Sequence, residues 1–169
     1  MNKSLLILVA VGLQIAVLAG MLVNASMPLW TGSEIRLRTA PVDPRSLFRG
    51  NYARLNYDIS SLPAGAITDA GRLRHGEVVY VHLEANAEGV HEYQSVSLEQ
   101  PTKGVFIRGR YQGSLGAVDG ERLQIRYGIE AYFAPQEKAL DLEKRLRRSG
   151  AIARVMVASN GKPALESIE

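Results

Sequence analysis

The chain has 169 residues, a hydrophobic fraction of 46%, a charged fraction of 22% and a formal net charge of +3. These values are typical of one globular domain and argue against a disordered chain. The charge is mild and forms no basic stripe beside stacking groups, so nucleic acid is excluded as an expected partner. The absence of cysteine excludes disulfides, thiolate zinc sites and cysteine nucleophiles.

The N-terminal segment predicts a helix that crosses a membrane. Leu5 to Val23 carries no charge, and as a helix this run would measure about 28 Å, close to the thickness of the hydrocarbon core of a bilayer. Lys3 precedes the run and no charged residue follows before Glu34, so the positive-inside rule places the N-terminus in the cytoplasm. The sequence therefore predicts a single-pass protein of the cytoplasmic (inner) membrane, with its C-terminal domain in the periplasm or outside.

Two interpretations of this segment stay open. Val23-Asn24-Ala25 fits the small-x-small pattern of a signal peptide cleavage site. The apolar run is longer than is usual in a signal peptide, however, and Trp30 stands where an interfacial aromatic side chain would anchor a retained helix. We therefore expect a retained anchor over residues 1–24, a linker over 25–33 and an extracytoplasmic β-rich domain over 34–169.

Alternation of apolar and polar residues predicts a mainly β domain. The predicted strands cover 34–39, 51–59, 77–84, 93–98, 104–111, 122–127, 129–133, 151–158 and 164–168. Gly128 interrupts this pattern and predicts a bulge or corner, while Asn160-Gly161 predicts a hairpin turn. One late helix is predicted over 136–148, beginning near Pro135. The expected fold is an antiparallel barrel or sandwich with this one late α-helix.

The densest group of side chains with functional chemistry lies between residues 39 and 60. Its candidate site residues are Asp43, Arg45, Phe48, Arg49, Gly50, Asn51, Tyr52, Leu55 and Tyr57. One interpretation is a polar surface on which Arg and Tyr hold an anionic ligand or a loop of a partner. In the other, which turn chemistry favours, Asp43 caps a turn, an arginine pairs with it, and Leu55 and Tyr57 belong to the core.

Glu130 and its neighbour Tyr132 form a second candidate site. Beside the predicted bulge, the Glu130 carboxylate could be directed inward, where burial would raise its pKa. The favoured interpretation is an ion pair of Glu130 with Arg45 or Arg49. The enzymatic alternative pairs Glu130 with Asp43 or Asp58 as an acid and a base.

Other catalytic and metal-binding patterns are absent from the sequence. His75, His82 and His91 lack the spacing of metal ligands, and no nucleophile motif or phosphate-binding glycine loop is present. We therefore expect no metal, no cofactor and no catalytic residues of a familiar class.

The segment Gly50-Asn51-Tyr52-Ala53-Arg54-Leu55-Asn56-Tyr57 resembles the signature of the GDYXXLXY family of bacterial membrane-anchored proteins. The preceding Ala-Pro-Val-Asp-Pro-Arg-x-Leu-Phe-Arg segment and the later Tyr127-Gly128-Ile129-Glu130-Ala131-Tyr132-Phe133 are similar to the same family. Asn51 stands where the signature has Asp. Because Asn keeps the size and one acceptor, this departure favours a turn role over catalysis.

The resemblance implies an extracytoplasmic accessory subunit, because genes of that family often lie beside those of polytopic membrane proteins. We expect a binding or assembly module that is held in the membrane by residues 5–23 and docks on a polytopic membrane protein. Two alternatives stay open. One is a cell-envelope enzyme, and the other is a carrier of a small hydrophobic or anionic ligand, which a deep apolar pocket would support.

Overall fold

A computed structural model describes residues 3–40, 52–67, 73–113, 122–133 and 150–169 as one long helix followed by a β-domain. The helix, α1, covers Lys3–Thr31. Two short 3-10 turns cover Asp58–Ser60 and Ala64–Ala66. The strands are, in chain order, β1 Ser33–Ala40, β2 Tyr52–Arg54, β3 Asn56–Tyr57, β4 Ser61–Leu62, β5 Val78–Ala85, β6 His91–Ser97, β7 Val105–Tyr111, β8 Leu123–Arg126, β9 Ala131–Phe133, β10 Ile152–Val157 and β11 Pro163–Ile168.

Every strand pair in the described residues is antiparallel. The strands form a five-stranded sheet in the order β4-β8-β7-β5-β6, a four-stranded sheet in the order β11-β10-β1-β3, and a two-stranded sheet of β2 and β9. β1 changes partners along its length: it pairs with β10 as far as Arg38 and with β3 from Thr39. The mainly antiparallel β fold predicted from the alternation is confirmed.

The two larger sheets share one hydrophobic core, because alternate side chains of each strand point to the same side of its sheet. The core includes Ile35 and Leu37 of β1, Val79, Val81 and Leu83 of β5, Ile107 of β7, Leu123 and Ile125 of β8, and Ala153 and Val155 of β10. All of these side chains are at most 5% exposed, so the period-2 pattern read from the sequence identifies the core face correctly.

One predicted strand is broken in the structure. Residues 51–59 were expected to form a single strand, but the chain pairs as β2, leaves the ladder at Leu55, and pairs again as β3 before the 3-10 turn at Asp58. The backbone N–H of Leu55 donates instead to the carbonyl of Glu130 at 2.8 Å. Buried and exposed residues alternate from Leu55 to Ile59, and the apolar residues of the sequence alternate from Ala53, so the sequence pattern does not reveal the break.

The helix α1 is longer than the predicted anchor. The end near residue 24 was read from the loss of apolar residues, and Pro28 normally ends a helix. In the structure α1 continues to Thr31 and β1 begins at Ser33, so only Gly32 separates them. The expected linker over 25–33 is therefore mostly helix.

Pro28 leaves one backbone carbonyl of α1 without its helical hydrogen bond, and a lysine of the β-domain donates to that carbonyl. Proline has no N–H, so the carbonyl of Asn24, four residues earlier, lacks its usual donor in the helix. The Nζ of Lys162 donates to that oxygen at 2.8 Å, and Pro28 is buried. The end of α1 is thereby fixed to the turn between β10 and β11.

The apolar part of α1 is exposed among the described residues. It is long and apolar enough to cross a membrane, and no part of that apolar stretch is buried in the structure. Of the large apolar side chains that are exposed in the described residues, only Leu98 and Val105 lie outside α1. The late helix predicted over 136–148 lies outside the described residues.

A bulkier residue at position 32 should disrupt the junction of helix and sheet. A Cβ at Gly32 would clash with the Pro28 carbonyl oxygen and lie 2.9 Å from the backbone nitrogen of Val157. Because both neighbours are backbone, we expect Gly32→Ala to lower the free energy of unfolding by about 1–3 kcal/mol, measured by thermal unfolding of the full chain in detergent. Gly20→Ala is the matched control, since its Cβ would meet nothing within 4 Å. Equal melting temperatures for both variants would contradict this account.

Candidate functional site

The signature segment and the Tyr127–Phe133 segment lie against each other. β2 of the first segment pairs with β9 of the second, from Tyr52 opposite Phe133 to Arg54 opposite Ala131. The Leu55 N–H continues this contact by donating to the Glu130 carbonyl. Two stretches separated by about seventy residues in the chain therefore form one unit, which we call the clasp (residues 52–60 and 127–133).

Two buried tyrosines close the clasp in a reciprocal way. The Tyr57 hydroxyl donates to the carbonyl of Ile129 at 2.7 Å, and the Tyr127 hydroxyl donates to the carbonyl of Ile59 at 2.7 Å. Each segment thus supplies one phenol and one backbone acceptor. A buried carbonyl without a hydrogen-bond donor costs free energy. These two bonds supply donors to carbonyls that are not paired with a neighbouring strand.

Burial of the two phenols fixes their protonation. It raises the pKa of both Tyr57 and Tyr127 well above the ordinary value for tyrosine, and the nearby charge of Glu130 raises both further. Both side chains therefore remain hydrogen-bond donors across the range of pH in which the protein would operate. Their chemistry is that of structural donors to the backbone.

Glu130 closes the turn between β8 and β9. Its carboxylate accepts the backbone N–H of Tyr127 at 2.5 Å and that of Gly128 at 2.9 Å. Gly128 has a φ of 86°, a left-handed conformation that glycine adopts without strain. Arg126 lies 3.6 Å away and pairs with the same carboxylate. The predicted corner at Gly128 is confirmed, and the Glu130 side chain stabilises it.

The remaining predicted site residues divide into two groups. Leu55 is buried at 1% exposure and Tyr132 packs against the core, so both have structural roles. Tyr52 lies in β2, where its backbone pairs with Phe133. The other predicted candidates lie outside the described residues: Asp43, Arg45, Phe48, Arg49, Gly50 and Asn51. The expected pair of Glu130 with Arg45 or Arg49 stays a prediction for that reason.

A groove of about 290 Å³ separates β1 from β6, and Asp58 lies in it beside Arg38, His91 and Glu92. Partial burial raises the pKa of Asp58, although Arg38 opposes the shift. Burial lowers the pKa of His91, whose Nδ1 lies 3.3 Å from the backbone N–H of Arg36. Glu130 does not line this groove, so the described residues do not place it in one cleft with Asp58 as the enzymatic alternative requires.

A second cleft, of about 460 Å³, is lined by four cationic residues. Its cationic residues are Arg108 and Arg110 of β7, Arg126 of β8 and Lys162 after the hairpin turn, and no described acidic residue lines it. We call it the basic cleft. The sequence analysis missed it, although the spacing of Arg108 and Arg110 puts both on one face of a strand. Lys162 joins them only through the fold.

The described residues offer little for metal chemistry. No group of three or more His, Asp or Glu side chains in this part of the chain lies close enough together to hold a metal ion. Buried side-chain nitrogen and oxygen atoms there all have hydrogen-bond partners. The polar groups of the clasp are thus engaged with one another and with the backbone.

Removing either phenolic hydroxyl of the clasp should destabilise the protein. We expect Tyr57→Phe and Tyr127→Phe each to lower the free energy of unfolding by about 1–2 kcal/mol, because each leaves a buried carbonyl without its donor. Chemical denaturation of the full chain in detergent measures this. Tyr80→Phe is the control, since the Tyr80 hydroxyl has no partner among the described residues. The assignment fails if all three variants unfold alike.

Comparison with known protein families gives a match that includes the clasp. The profile of the GDYXXLXY protein family matches residues 14–168, which include both clasp segments and most of α1. Comparison with curated proteins and with solved structures gives no match. Since the matched range covers far more than half of the sequence, the chain belongs to the GDYXXLXY protein family.

Proposed function

We propose that this protein is a membrane-anchored extracytoplasmic accessory subunit that docks on a polytopic membrane protein. The observation that carries the proposal is α1, a helix whose apolar stretch has no buried part and which joins the β-domain through one residue. In water an exposed helix that is apolar on all sides would aggregate, whereas a lipid bilayer is a suitable solvent for it.

The dimensions of α1 support retention of the helix in the membrane. With about 1.5 Å per residue, the 29 residues of α1 extend over about 43 Å, comparable to a bilayer with its headgroup layers. Trp30 is 69% exposed near the end of α1, a position that suits an interfacial aromatic side chain. Cleavage after Ala25 would also remove Asn24, whose carbonyl holds Lys162.

The orientation follows from the charges that flank the helix. Lys3 lies before the apolar run, and the next charged residue is Glu34 in β1. The positive-inside rule therefore favours a cytoplasmic N-terminus and a β-domain on the outer side of the cytoplasmic membrane.

Single cysteines can test this orientation, because the chain has none of its own. In intact cells we expect a membrane-impermeant maleimide to label Lys103→Cys, an exposed position of the β-domain, once the outer envelope is permeable. Ser4→Cys, at the start of α1, should react only after lysis. Recovery of the full-length chain in the membrane fraction should accompany this pattern. Labelling of Ser4→Cys alone, or release of a shortened chain, would contradict the proposal.

Docking through α1 is supported by a face of small residues. Gly12, Ala16 and Gly20 follow at intervals of four, and a Cβ at either glycine would meet nothing within 4 Å. Helices in membranes approach each other closely at such faces.

Co-purification in mild detergent tests the docking. We expect the full chain to recover one polytopic membrane protein in near-equal amount, and Gly12→Leu with Gly20→Leu to reduce that recovery at least tenfold while the chain stays in the membrane. Val11→Leu with Leu18→Phe enlarges the opposite helix face and is the control. Recovery of the wild-type chain alone would refute the accessory role, and equal recovery with both variants would exclude α1 as the docking surface.

A further inference from the structure

The basic cleft lies beside the end of α1. β10 runs antiparallel to β1, with Val157 opposite Ser33, so the chain beyond Val157 returns toward the helix. The following turn reaches the helix where Lys162 binds the Asn24 carbonyl. Asn24 is the first residue after the apolar run that ends at Val23.

The same turn connects the cleft to the five-stranded sheet. The carbonyl of Gly161 accepts the backbone N–H of Arg108 at 2.8 Å. Lys162 and Arg108 are thereby held near each other, with Arg110 and Arg126 along the same cleft. If α1 crosses a bilayer as proposed above, the contact with Asn24 places Lys162 at the depth where the hydrocarbon core gives way to headgroups, and the three arginines line the same cleft.

The charges in the cleft are largely uncompensated. Arg126 pairs with Glu130 at 3.6 Å, but that carboxylate also accepts two backbone N–H groups. Arg110 donates to the Gly76 carbonyl at 2.7 Å, and Lys162 keeps two of its three N–H donors after binding Asn24. The Arg108 guanidinium has no hydrogen bond or ion pair within the described residues. The cleft thus offers several donors and a net positive charge.

We propose that the basic cleft binds the phosphate group of a phospholipid headgroup at the membrane surface. Arginine forks and a lysine are the side chains best suited to phosphate oxygens. The position of the cleft favours a lipid as the source of this phosphate, because the cleft adjoins Asn24, the first helix residue after the apolar run. The proposal rests on α1 being a membrane anchor, and it adds a contact of the β-domain with the lipid to the contact made by the helix.

Native mass spectrometry of the full chain in nonionic detergent tests this binding. Phosphatidylglycerol and diacylglycerol serve as probes that share acyl chains and differ in the phosphate. We expect one phosphatidylglycerol to bind in preference to diacylglycerol, and inorganic phosphate to compete with it. Arg108→Gln with Lys162→Gln should weaken lipid binding about tenfold or more, since it removes two of the cations that attract an anionic headgroup.

The matched control removes two exposed cations outside the cleft, Arg38→Gln with Lys103→Gln, and should leave lipid binding unchanged. Thermal unfolding verifies that both double variants are folded, and Lys162→Arg should retain binding because it keeps the charge. Equal binding of phosphatidylglycerol and diacylglycerol, or equal weakening in both double variants, would overturn the proposal.

Two other outcomes would reassign the cleft. Binding of inorganic phosphate without binding of the lipid would make a soluble phosphate the ligand. Loss of a co-purifying polytopic protein in Arg108→Gln with Lys162→Gln, with no lipid binding by the wild type, would make an acidic segment of that protein the occupant. Either result refutes the lipid proposal and leaves the accessory role intact, because the co-purification experiment measures that role separately.

Discussion

The fold depends on satisfying backbone carbonyls where short strands end inside the core. Ile59 and Ile129 lie at such positions, and both are buried. Each of their carbonyls receives a phenolic hydroxyl from the opposite clasp segment. A buried acceptor without a donor costs free energy comparable to a lost hydrogen bond, so neither segment would be stable in this conformation without the other. The signature of the family is therefore best understood as one half of a structural contact whose other half is the Tyr127–Glu130 turn.

Within the clasp, several of the candidate site residues make structural contacts. Tyr57 and Leu55 belong to the core, as the structural interpretation expected, and Glu130 is occupied by the backbone of its own turn. Neither tyrosine presents its hydroxyl to solvent. Of the two clefts in the described residues, the basic cleft has the more pronounced charge.

Local patterns in the sequence predicted the strands and turns whose conformation depends on residues that are neighbours in the chain. Alternation identified β1, β5 and β10 together with their buried faces, and Gly128 correctly marked a corner. The reciprocal tyrosine bonds could not be found in this way, since they join residues about seventy positions apart. The length of α1 was underestimated because hydropathy ends at Val23, while the helix continues through Pro28 with the support of Lys162. The basic cleft depends on cations of β7, β8 and a turn that meet only in the folded chain.

The junction at Gly32 has a mechanical consequence. A single residue joins α1 to β1, and the hydrogen bond from Lys162 to Asn24 is a second connection between the helix and the β-domain. The tilt of a membrane helix responds to bilayer thickness and to neighbouring helices. In an anchored chain that tilt would be transmitted directly to the β-domain and would set the angle at which its strands stand over the lipid surface. A partner that reorients the helix would thereby also reorient the domain, without any change in the domain's own structure.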